Sequence, residues 1–528
     1  MIRQQAAWLS AGLLLFAGLA GWTARPVARP IAADIAADRT GRHPDAGRGE
    51  IDDYRKSHEA AILAEMAAFL SIPNTASDSN NIERNALALV KMMKNRGIEA
   101  RLIEGGGPPV VFGQLKAPGA RRTIAIYAHY DGQPVGGPQW ATPPFKPVLR
   151  DRALESGGKI IPFPNPGQIC DPEWRVYARS ASDDKAPIVS MMAALDAIRA
   201  SKIPITSNLK FLFEGEEEAG SPHLRELLKR NTGLLGADVW ICADGPVHQS
   251  GRPEVFFGCR GIVTATITVY GPNRSLHSGH YGNWAPNPAM RLVTLLAGMK
   301  DGRGHVLIDG FYDGIEPLGP EEREAIAQAP AIDAELMREF GLAQADGEGR
   351  TLAQLINEPS LNIDKISSGE EGVPARTVIP PEATATLDMR LVKGITPEQQ
   401  LGRLEEYIRK QGYLILSREP DAAARLKNPL IARITSRDGY NAARTPMNLD
   451  IARKIVGAVE TGTGRKPVLM PTVGGSTPMS IFADLTGIPQ IGVPIVNHDN
   501  NQHAPNENLR LKNLWDGIDI FAQLMTMD

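Results

Sequence analysis

The chain has 528 residues and a formal net charge of −3, with 57 Lys and Arg residues against 60 Asp and Glu residues. This length exceeds what one hydrophobic core normally serves, so we expect two domains, and the near-neutral charge argues against a nucleic-acid partner. Three cysteines, Cys170, Cys242 and Cys259, are too few for a disulfide framework and form no Cys-x-x-Cys zinc motif. We therefore expect these cysteines to be buried or free thiols. The near-neutral charge indicates that the ligand is small.

The N-terminus has the form of a secretory signal. Residues 6–22 carry no charge, follow a basic start at Arg3, and contain a small-residue cleavage candidate at Gly18-Leu19-Ala20. We interpret residues 1–22 as a cleaved signal peptide, with an uncleaved membrane anchor as the alternative, and residues 23–49 as a flexible tether. Both interpretations predict a periplasmic or secreted protein that meets a membrane only through this segment.

After residue 50 the chain alternates helices and strands. Hydrophobic periodicity predicts, in chain order, helices over 53–70 and 81–95, strands over 110–115 and 124–128, a helix after Lys185, a strand over 209–213, a helix after Ser221 and a strand over 239–243. This alternation predicts an α/β fold with a mostly parallel sheet flanked by helices. The Pro- and Gly-rich stretch 132–167 is predicted to be a loop at the rim of a site.

The pattern changes near residue 257. We expect a strand over 263–270, a helix over 288–300, a strand over 383–391 and a helix over 397–411, which together form a smaller α+β domain inserted into the first. Residues 301–362 are weakly periodic and are predicted to be a surface elaboration. The first domain then resumes with a helix over 451–459, a strand over 490–494 and a closing helix after Asn513. The predicted boundaries are 50–256 with 430–528 for the first domain and 257–429 for the insertion.

Five segments each end a strand-like run with residues that bind metals or transfer protons. They are Ala128-His129-Tyr130-Asp131, Ser182-Asp183-Asp184-Lys185, Glu214-Gly215-Glu216-Glu217-Glu218, Cys242-Ala243-Asp244 and His503-Ala504-Pro505-Asn506-Glu507. Together they hold enough imidazoles and carboxylates for two Zn²⁺ ions, with one carboxylate left as a base. Singly, each has a structural interpretation: the Glu run could open a helix, and Asp183-Asp184-Lys185 could cap one. Because strand ends meet at one edge of an open α/β sheet, the set predicts a single site.

In this order the segments resemble the di-zinc exopeptidases of metallopeptidase family twenty, which includes aminoacylases, carboxypeptidases and carnosinase-type dipeptidases. The resemblance covers roughly residues 50–528 and rests on three matching motifs: His-Tyr-Asp-Gly-Gln-Pro-Val from His129, Ser-Asp-Asp-Lys from Ser182, and Glu-Gly-Glu-Glu-Glu-Ala-Gly-Ser from Glu214. The last motif and Leu276-His277-Ser278-Gly279-His280-Tyr281-Gly282 are most similar to the carnosinase-type branch.

The resemblance implies a zinc exopeptidase fold, an inserted lid domain that also dimerises, and a set of site residues. The implied metal ligands are His129, Asp183 as the bridge between two ions, Glu218, Asp244 and His503. The implied catalytic residues are Asp131, Glu217 as general base and His277, which would reach the site of a second subunit. The implied substrate contacts are Arg390 as a carboxylate clamp, with Asn287 and Ser476 as weaker candidates. Glu216 is expected at the surface.

Two details follow from the local sequence. Residues i and i+2 of a strand share a face, so the Asp131 carboxylate would accept a hydrogen bond from the second ring nitrogen of His129 and orient it. Around the Asp183 motif, Tyr177-Ala178-Arg179-Ser180 and Lys185-Ala186-Pro187 stand where the family usually has glycines. These residues are expected to add bulk beside a tight backbone without removing a ligand.

We therefore predict a homodimeric exopeptidase with two Zn²⁺ ions per subunit, or Co²⁺ or Mn²⁺ in their place. Its substrates would be dipeptides or short peptides with a free C-terminal carboxylate. The same machinery would serve an N-acyl-amino-acid deacylase, which stays open as an alternative. A non-catalytic tethered binding protein is the remaining one, and the presence of Glu217 beside a complete ligand set argues against it.

Overall fold

The computed structural model describes residues 47–136, 139–369, 376–437 and 439–527. The predicted signal peptide or anchor, residues 1–22, lies outside the described residues, as does nearly all of the predicted tether. The last two tether residues, Arg48 and Gly49, are helical, because the first helix begins at Arg48. Within the described ranges, no helix combines the length and apolar character needed to cross a membrane.

The helices follow the predicted order and add short ones in the insertion. They are α1 (Arg48–Leu70), α2 (Ser79–Asn95), α3 (Lys185–Ala200), α4 (Leu224–Arg230), α5 (Ser278–Tyr281), α6 (Pro288–Ala297), α7 (Pro320–Gln328), α8 (Asp333–Glu339), α9 (Leu352–Leu355), α10 (Pro397–Lys410), α11 (Ala422–Lys427), α12 (Asp450–Thr463), α13 (Met479–Thr486) and α14 (Leu511–Thr526).

The strands of the first half are β1 (Glu99–Ile103), β2 (Val110–Leu115), β3 (Thr123–His129), β4 (Val148–Arg150), β5 (Ile160–Ile161), β6 (Arg175–Tyr177), β7 (Asn208–Glu214), β8 (Val239–Cys242), β9 (Glu254–Phe256) and β10 (Gly258–Cys259). Those of the second half are β11 (Gly261–Tyr270), β12 (Leu276–His277), β13 (Ser360–Ser368), β14 (Val378–Ile379), β15 (Glu382–Leu391), β16 (Leu414–Leu416), β17 (Ile431–Ser436), β18 (Ala443–Arg444), β19 (Val468–Met470), β20 (Gln490–Gly492) and β21 (Asn508–Arg510).

The largest sheet has eight strands in the order β1-β2-β7-β3-β8-β20-β9-β19. Its centre, β7-β3-β8-β20, is parallel, while the β1-β2, β2-β7 and β20-β9 pairs are antiparallel. Strands β3 and β8 are buried along almost their whole length, as expected for parallel strands covered on both faces. The predicted α/β class with a mostly parallel sheet flanked by helices is confirmed.

Helices cover both faces of this sheet. Helices α1, α3, α12 and α14 pack on one another over one face, and α3 is apolar and buried nearly all round, as expected for a helix between a sheet and other helices. The other face is covered by α4 and α13, where Phe482 packs on Trp240 with their ring centroids 4.5 Å apart. All three cysteines are buried free thiols.

A second sheet has the order β13-β15-β11-β17-β16 and a separate hydrophobic core. Burial alternates along β11 and β15, so one face of this sheet packs against α6 and α10. Both strands and both helices fall where the inserted domain was predicted. The domain boundaries themselves stay predictions.

Two predicted irregular stretches are more ordered than expected. Within 132–167, strands β4 and β5 join β6 and β21 in a four-stranded antiparallel sheet. Within 301–362, Val306, Ile308 and Phe311 are buried in the core of the second sheet, so this stretch is not only a surface elaboration. Short strands and isolated apolar residues give weak periodicity, which explains both errors.

Candidate metal centre

Three neighbouring parallel strands deliver the first site residues to one edge of the large sheet. Strand β3 ends at His129 and leads directly to Asp131, β7 ends at Glu214 just before Glu217 and Glu218, and β8 ends two residues before Asp244. Because these strands run in the same direction, their C-terminal ends lie side by side.

The Asp183 loop is held by one buried carboxylate, that of Glu507. It accepts hydrogen bonds from the backbone N–H groups of Ser180 (2.8 Å), Ser182 (3.0 Å) and Asp183 (2.9 Å), and from the Ser182 hydroxyl (2.9 Å). Its second oxygen also accepts from the Arg179 guanidinium at 2.8 Å. Glu507 therefore ties the C-terminal segment to the loop before α3.

Asp184 takes no part in capping α3. It stands at the N-cap position without a side-chain cap bond, and its carboxylate instead accepts the backbone N–H of His129 at 3.1 Å. The alternative that this motif serves as a helix cap is therefore wrong for Asp184. The peptide bond between Asp183 and Asp184 is cis.

Two groups of ligand-type atoms meet at Asp183. His129 Nε2 lies 2.9 Å from Asp183 Oδ1 and 4.0 Å from Asp244 Oδ1, whereas His503 Nε2 lies 3.1 Å from Asp183 Oδ2 and 3.2 Å from Glu218 Oε2. Each group offers one imidazole and two carboxylates whose donor atoms lie within 4.8 Å of one another. The structure thus brings together all five predicted ligands.

Asp131 connects the first group to the two glutamates. Its carboxylate lies 3.4 Å from His129 Nδ1, as the strand geometry predicts, and it also accepts the backbone N–H groups of Glu217 (3.1 Å) and Glu218 (3.0 Å). Glu217 and Glu218 lie in a short 3₁₀ turn, Glu217–Ala219. Only Glu218 belongs to a donor group.

Crowding of buried acids dominates the electrostatics. Burial, followed by the charge of Asp183, raises the pKa of Glu218 to about 7, and burial together with Asp183 raises the pKa of Asp244 to about 6. Burial also raises the pKa of Asp183, but hydrogen bonds from His129 and His503 outweigh it and hold that pKa below its ordinary value. Burial and the nearby Asp244 and Glu218 raise the pKa of Glu217 well above its usual range.

This donor set fits divalent metal ions. Imidazole nitrogen and carboxylate oxygen are the ligands that Zn²⁺ accepts, and a cation would offset the mutual repulsion that raises the pKa values of Glu218 and Asp244. Asp183 alone contributes an oxygen to both groups, which suits a bridging ligand.

A second polar cluster contains two of the predicted substrate contacts. Arg390 Nη1 donates to Ser476 Oγ at 2.9 Å, and Arg390 Nε lies 3.2 Å from the Asp388 carboxylate. Burial raises the pKa of the Tyr440 hydroxyl, and Ser476 and Glu217 are among the groups near enough to affect it.

The side chains of His277 and Asn287 make local contacts. His277 ends β12, which pairs with β14 in a two-stranded sheet, and Asn287 immediately precedes α6. The Nδ1 atom of His277 accepts the backbone N–H of Gly279 at 3.0 Å, and its ring lies 4.5 Å from that of His280. Asn287 caps α6, accepting the backbone N–H of Ala289 at 2.9 Å. Among the described residues, no hydrogen bond or ion pair joins either side chain to the donor groups.

Sequence reasoning missed the support around the ligands. Glu216, expected at the surface, is buried and accepts the backbone N–H of His223 at 2.9 Å. Asp184 and Glu507 were adjacent to predicted ligands but were given no role of their own. Both residues belong to the predicted metal-ligand segments. Their supporting role could not be predicted, because an acidic residue that accepts backbone N–H groups has the same local sequence as an acidic residue exposed to solvent.

Comparisons with known proteins support the interpretation. The model of peptidase family M20/M25/M40 matches residues 125–527. A Beta-Ala-His dipeptidase of Homo sapiens is 27% identical over 428 residues, covering 79% of this chain and 76% of its own. A Cys-Gly metallodipeptidase of Schizosaccharomyces pombe is 25% identical over 492 residues, covering 90% and 96%.

Solved structures agree with the fold. An M20 family metallo-carboxypeptidase from Sulfolobus solfataricus superposes with a TM-score of 0.73 at 26% identity, covering 88% of this chain and 98% of its own. The structure of human carnosine dipeptidase 1 gives a TM-score of 0.71 at 22% identity, covering 91% and 98%.

The same relatives correct the predicted location. The predicted periplasmic or secreted location is wrong, because the similar dipeptidases of yeast are cytosolic. The prediction rested on residues 1–22 alone, which lie outside the described part of the chain.

The family match covers more than half of the chain and coincides with the region that carries every predicted ligand. The chain belongs to peptidase family M20/M25/M40, as its motifs predicted, and is a metallopeptidase.

Proposed function

We propose that this protein is a di-zinc dipeptidase that cleaves dipeptides or short peptides with a free C-terminal carboxylate, with Co²⁺ or Mn²⁺ as alternative metals. The observation that carries the proposal is the pair of His–carboxylate groups that share Asp183, with Glu217 beside them and outside both. The names of the relatives, a Beta-Ala-His dipeptidase and a Cys-Gly metallodipeptidase, support the substrate class.

The metal-binding residues would be divided between two ions. His129 and Asp244 would hold one ion, His503 and Glu218 the other, and Asp183 would bridge them. Two bound Zn²⁺ ions would supply Lewis-acid polarisation of the scissile carbonyl and a lowered pKa for the attacking water. Asp131 would orient His129 and, through two backbone N–H groups, the turn that carries Glu217 and Glu218.

Glu217 would be the general base. It takes a proton from the attacking water and returns it to the leaving amine, so it must remain free of the metals and change protonation during the cycle. Burial among other acids raises its pKa above the ordinary value for Glu, and two cations beside it would oppose that rise and keep the carboxylate available as a base.

Arg390 would bind the substrate carboxylate. A guanidinium offers two parallel charge-assisted hydrogen bonds to a carboxylate and little to a neutral amide. Ser476 already accepts one N–H of Arg390 and so fixes the orientation of the guanidinium. This subsite would fix the distance between the chain end and the scissile bond, which is the property of an exopeptidase.

His277 would stabilise the developing oxyanion. Because its Nδ1 accepts the Gly279 N–H, the neutral ring carries its proton on Nε2, which is then free to donate. The contacts of His277 in its own chain are local, which supports a role in the site of a second subunit of a homodimer.

The test measures how fast the purified protein cleaves three compounds: the dipeptide β-Ala-His, the same dipeptide with an amidated C-terminus, and an N-acyl amino acid. Each rate is measured after the metal has been removed and again after it has been restored. We expect metal-dependent cleavage of the free dipeptide. The amidated dipeptide should be cleaved more slowly, by roughly tenfold or more. The margin should shrink in Arg390→Ala and recover partly in Arg390→Lys, which supplies charge without the planar fork.

Two outcomes would contradict the proposal. Preferential cleavage of the N-acyl amino acid would favour the deacylase, since that substrate carries the same free carboxylate. Equal rates on the free and amidated dipeptides would show that Arg390 is not a carboxylate clamp.

A further inference from the structure

Arg260 is a buried arginine in the short connection between β10 and β11, where the chain passes from the large sheet to the second one. Its guanidinium donates to the carbonyl of Ile356 (2.8 Å, from Nε), to the carbonyl of Leu355 (3.2 Å, from Nη2) and to Ser360 Oγ (3.3 Å, from Nη1). Leu355 and Ile356 are the last residue and the C-cap of α9, so Arg260 satisfies carbonyls that the helix leaves free.

Arg260 also touches both sides of the contact between Arg390 and Ser476. Its backbone N–H donates to the carbonyl of Gly475, the residue before Ser476, at 3.3 Å. Its guanidinium donates to Ser360, which lies directly opposite Arg390 in the pairing of β13 with β15. One residue therefore fixes the loop that carries Ser476 and the strand pair that carries Arg390.

The same contacts bring α9 against the Ser476 loop. A methyl group built on Gly474 would lie 3.5 Å from Ile356 Cγ2, which is ordinary van der Waals contact. The end of α9 is thus a wall beside the Gly474-Gly475-Ser476 loop, and the predicted surface elaboration contributes that wall.

Arg260 and Arg390 carry charges of the same sign. Burial, followed by the charge of Arg390, lowers the pKa of Arg260 to about 10, so the two guanidinium groups repel one another. Asp388 offsets part of this repulsion through its ion pair with Arg390 at 3.2 Å. The three acceptors of the Arg260 guanidinium compensate for its burial.

We propose that the Arg260 side chain is a positioning group for the carboxylate subsite: through Ser360 it holds the strand pair that carries Arg390, and through the carbonyls at the end of α9 it seats that helix as the wall beside the Ser476 loop. It contacts no substrate itself. This inference rests on the proposed function, because it concerns how the enzyme recognises a free chain end.

The test is the preference for a free over an amidated dipeptide, measured as the ratio of the two kcat/KM values. In Arg260→Met we expect KM for the free dipeptide to rise roughly tenfold, kcat to fall less than about threefold, and the amidated twin to be affected little, so that the ratio falls roughly tenfold. Metal content should stay at the parent level. Arg260→Lys should recover part of the ratio, because its ammonium can reach one of the acceptors.

A double-mutant cycle separates positioning from general damage. If Arg260 acts through Arg390, then adding Arg260→Met to Arg390→Met should change the ratio by less than about twofold. Arg425→Met is the matched control: Arg425 also donates to backbone carbonyls, those of Gly271 and Pro272, but beside the far end of β11 and β15 from Arg390. The control should leave the ratio unchanged.

An unchanged ratio in Arg260→Met, or equal losses on both substrates, would overturn the inference. If Arg260→Met fails to fold, Ser360→Ala replaces it, since it removes a single hydrogen bond of the Arg260 guanidinium. It should lower the ratio about two- to threefold, and only when Arg390 is present. A parent enzyme without any preference would instead refute the proposed function, so the two failures are distinguishable.

Discussion

At the scale of single residues, Glu217 and Glu218 are neighbours in sequence with different surroundings. Glu218 Oε2 lies 3.2 Å from His503 Nε2 and also accepts the Gln133 amide at 2.8 Å, while Glu217 belongs to neither donor group. Asp131 holds the backbone N–H groups of both, so the turn is rigid enough to keep the two roles apart.

This difference predicts opposite effects of two substitutions. Glu217→Gln should leave metal content near that of the parent and lower kcat by roughly two orders of magnitude or more, the scale of lost general-base catalysis. Glu218→Ala should lose bound metal, because it removes a ligand. Steady-state kinetics and elemental analysis of both variants make the comparison, and near-normal turnover in Glu217→Gln would refute its assignment as the base.

At the scale of elements, the site depends on how the last segment of the chain is fastened to the loop before α3. Glu507 accepts three backbone N–H groups from that loop and pairs with Arg179 in a fully buried environment. Removing one partner of a buried pair leaves the other charge uncompensated, which costs more than the pair itself contributes.

Glu507→Gln should therefore destabilise the protein by about 3 kcal/mol and weaken metal affinity, because both the charge and an acceptor of the loop are lost. Urea unfolding of the metal-loaded protein measures the first effect and competition with a chelating dye the second. Glu405→Gln, which breaks an exposed pair with Arg409 at 2.7 Å, is the control and should change stability by less than about 0.5 kcal/mol. Equal effects of the two variants would contradict the anchoring role.

The small sheet of β21, β6, β4 and β5 is tied to the His503 loop by the ion pair of Arg175 with Asp499, at 2.7 Å. Burial raises the pKa of Asp499, but hydrogen bonds from Arg175 and Asn497 outweigh it and lower the pKa to about 2. A carboxyl whose pKa falls on folding stabilises the protein above its ordinary pKa, near 3.8, and loses that contribution as pH falls toward 2.

Asp499→Asn should thus be about 1 kcal/mol less stable than the parent at pH 7, a figure reduced to allow for the partial exposure of the side chain to solvent. The difference should begin to shrink below pH about 4. Denaturant unfolding of both proteins at intervals from pH 7 to pH 3 tests this, and a difference that stays constant over that range would show that the ion pair is not its source.

At the scale of the whole molecule, the second sheet carries Arg390, a residue proposed for substrate binding, and has a hydrophobic core of its own. Arg390 reaches Ser476 on the Gly-rich loop before α13, so one side chain of the second sheet meets the part of the chain that carries the large sheet. The backbone of His277 pairs with Val378 in β14, but its side chain has only local contacts among the described residues, and the proposed dimer would give it a role in the second subunit's site.

Mixing two inactive proteins tests that role. After subunit exchange between His277→Ala and Glu217→Gln, a mixed dimer should contain one site with both intact groups, which would restore up to about a quarter of the parent activity. Each variant exchanged with itself is the control and should stay inactive. If mixed dimers form, as shown by differently tagged subunits, and no activity returns, His277 does not act across the dimer.

Much of the fold and nearly all of the ligand set could be predicted from sequence, because the signals are local. Strand β2 has the predicted bounds, and β3 and β7 extend the predicted strands by one residue at each end, since buried strands are short apolar runs. His129, Glu218 and Asp244 follow such runs, so the edge at which these three meet follows from the direction of the strands, whereas Asp183 and His503 lie in loops that only the fold brings there.

The sequence by itself therefore determined the family, the kind of sheet, and the candidate chemistry: which side chains are proposed to bind metal and which neighbouring carboxylate is proposed as the base. Only the tertiary structure decided what holds them in place. Ser182 and Glu507 are 325 positions apart, and Arg260 reaches Ser360 over 100 positions. A hydrogen bond over such a separation leaves no periodicity or motif in the chain, because it depends on where the folded backbone brings two ordinary polar residues together.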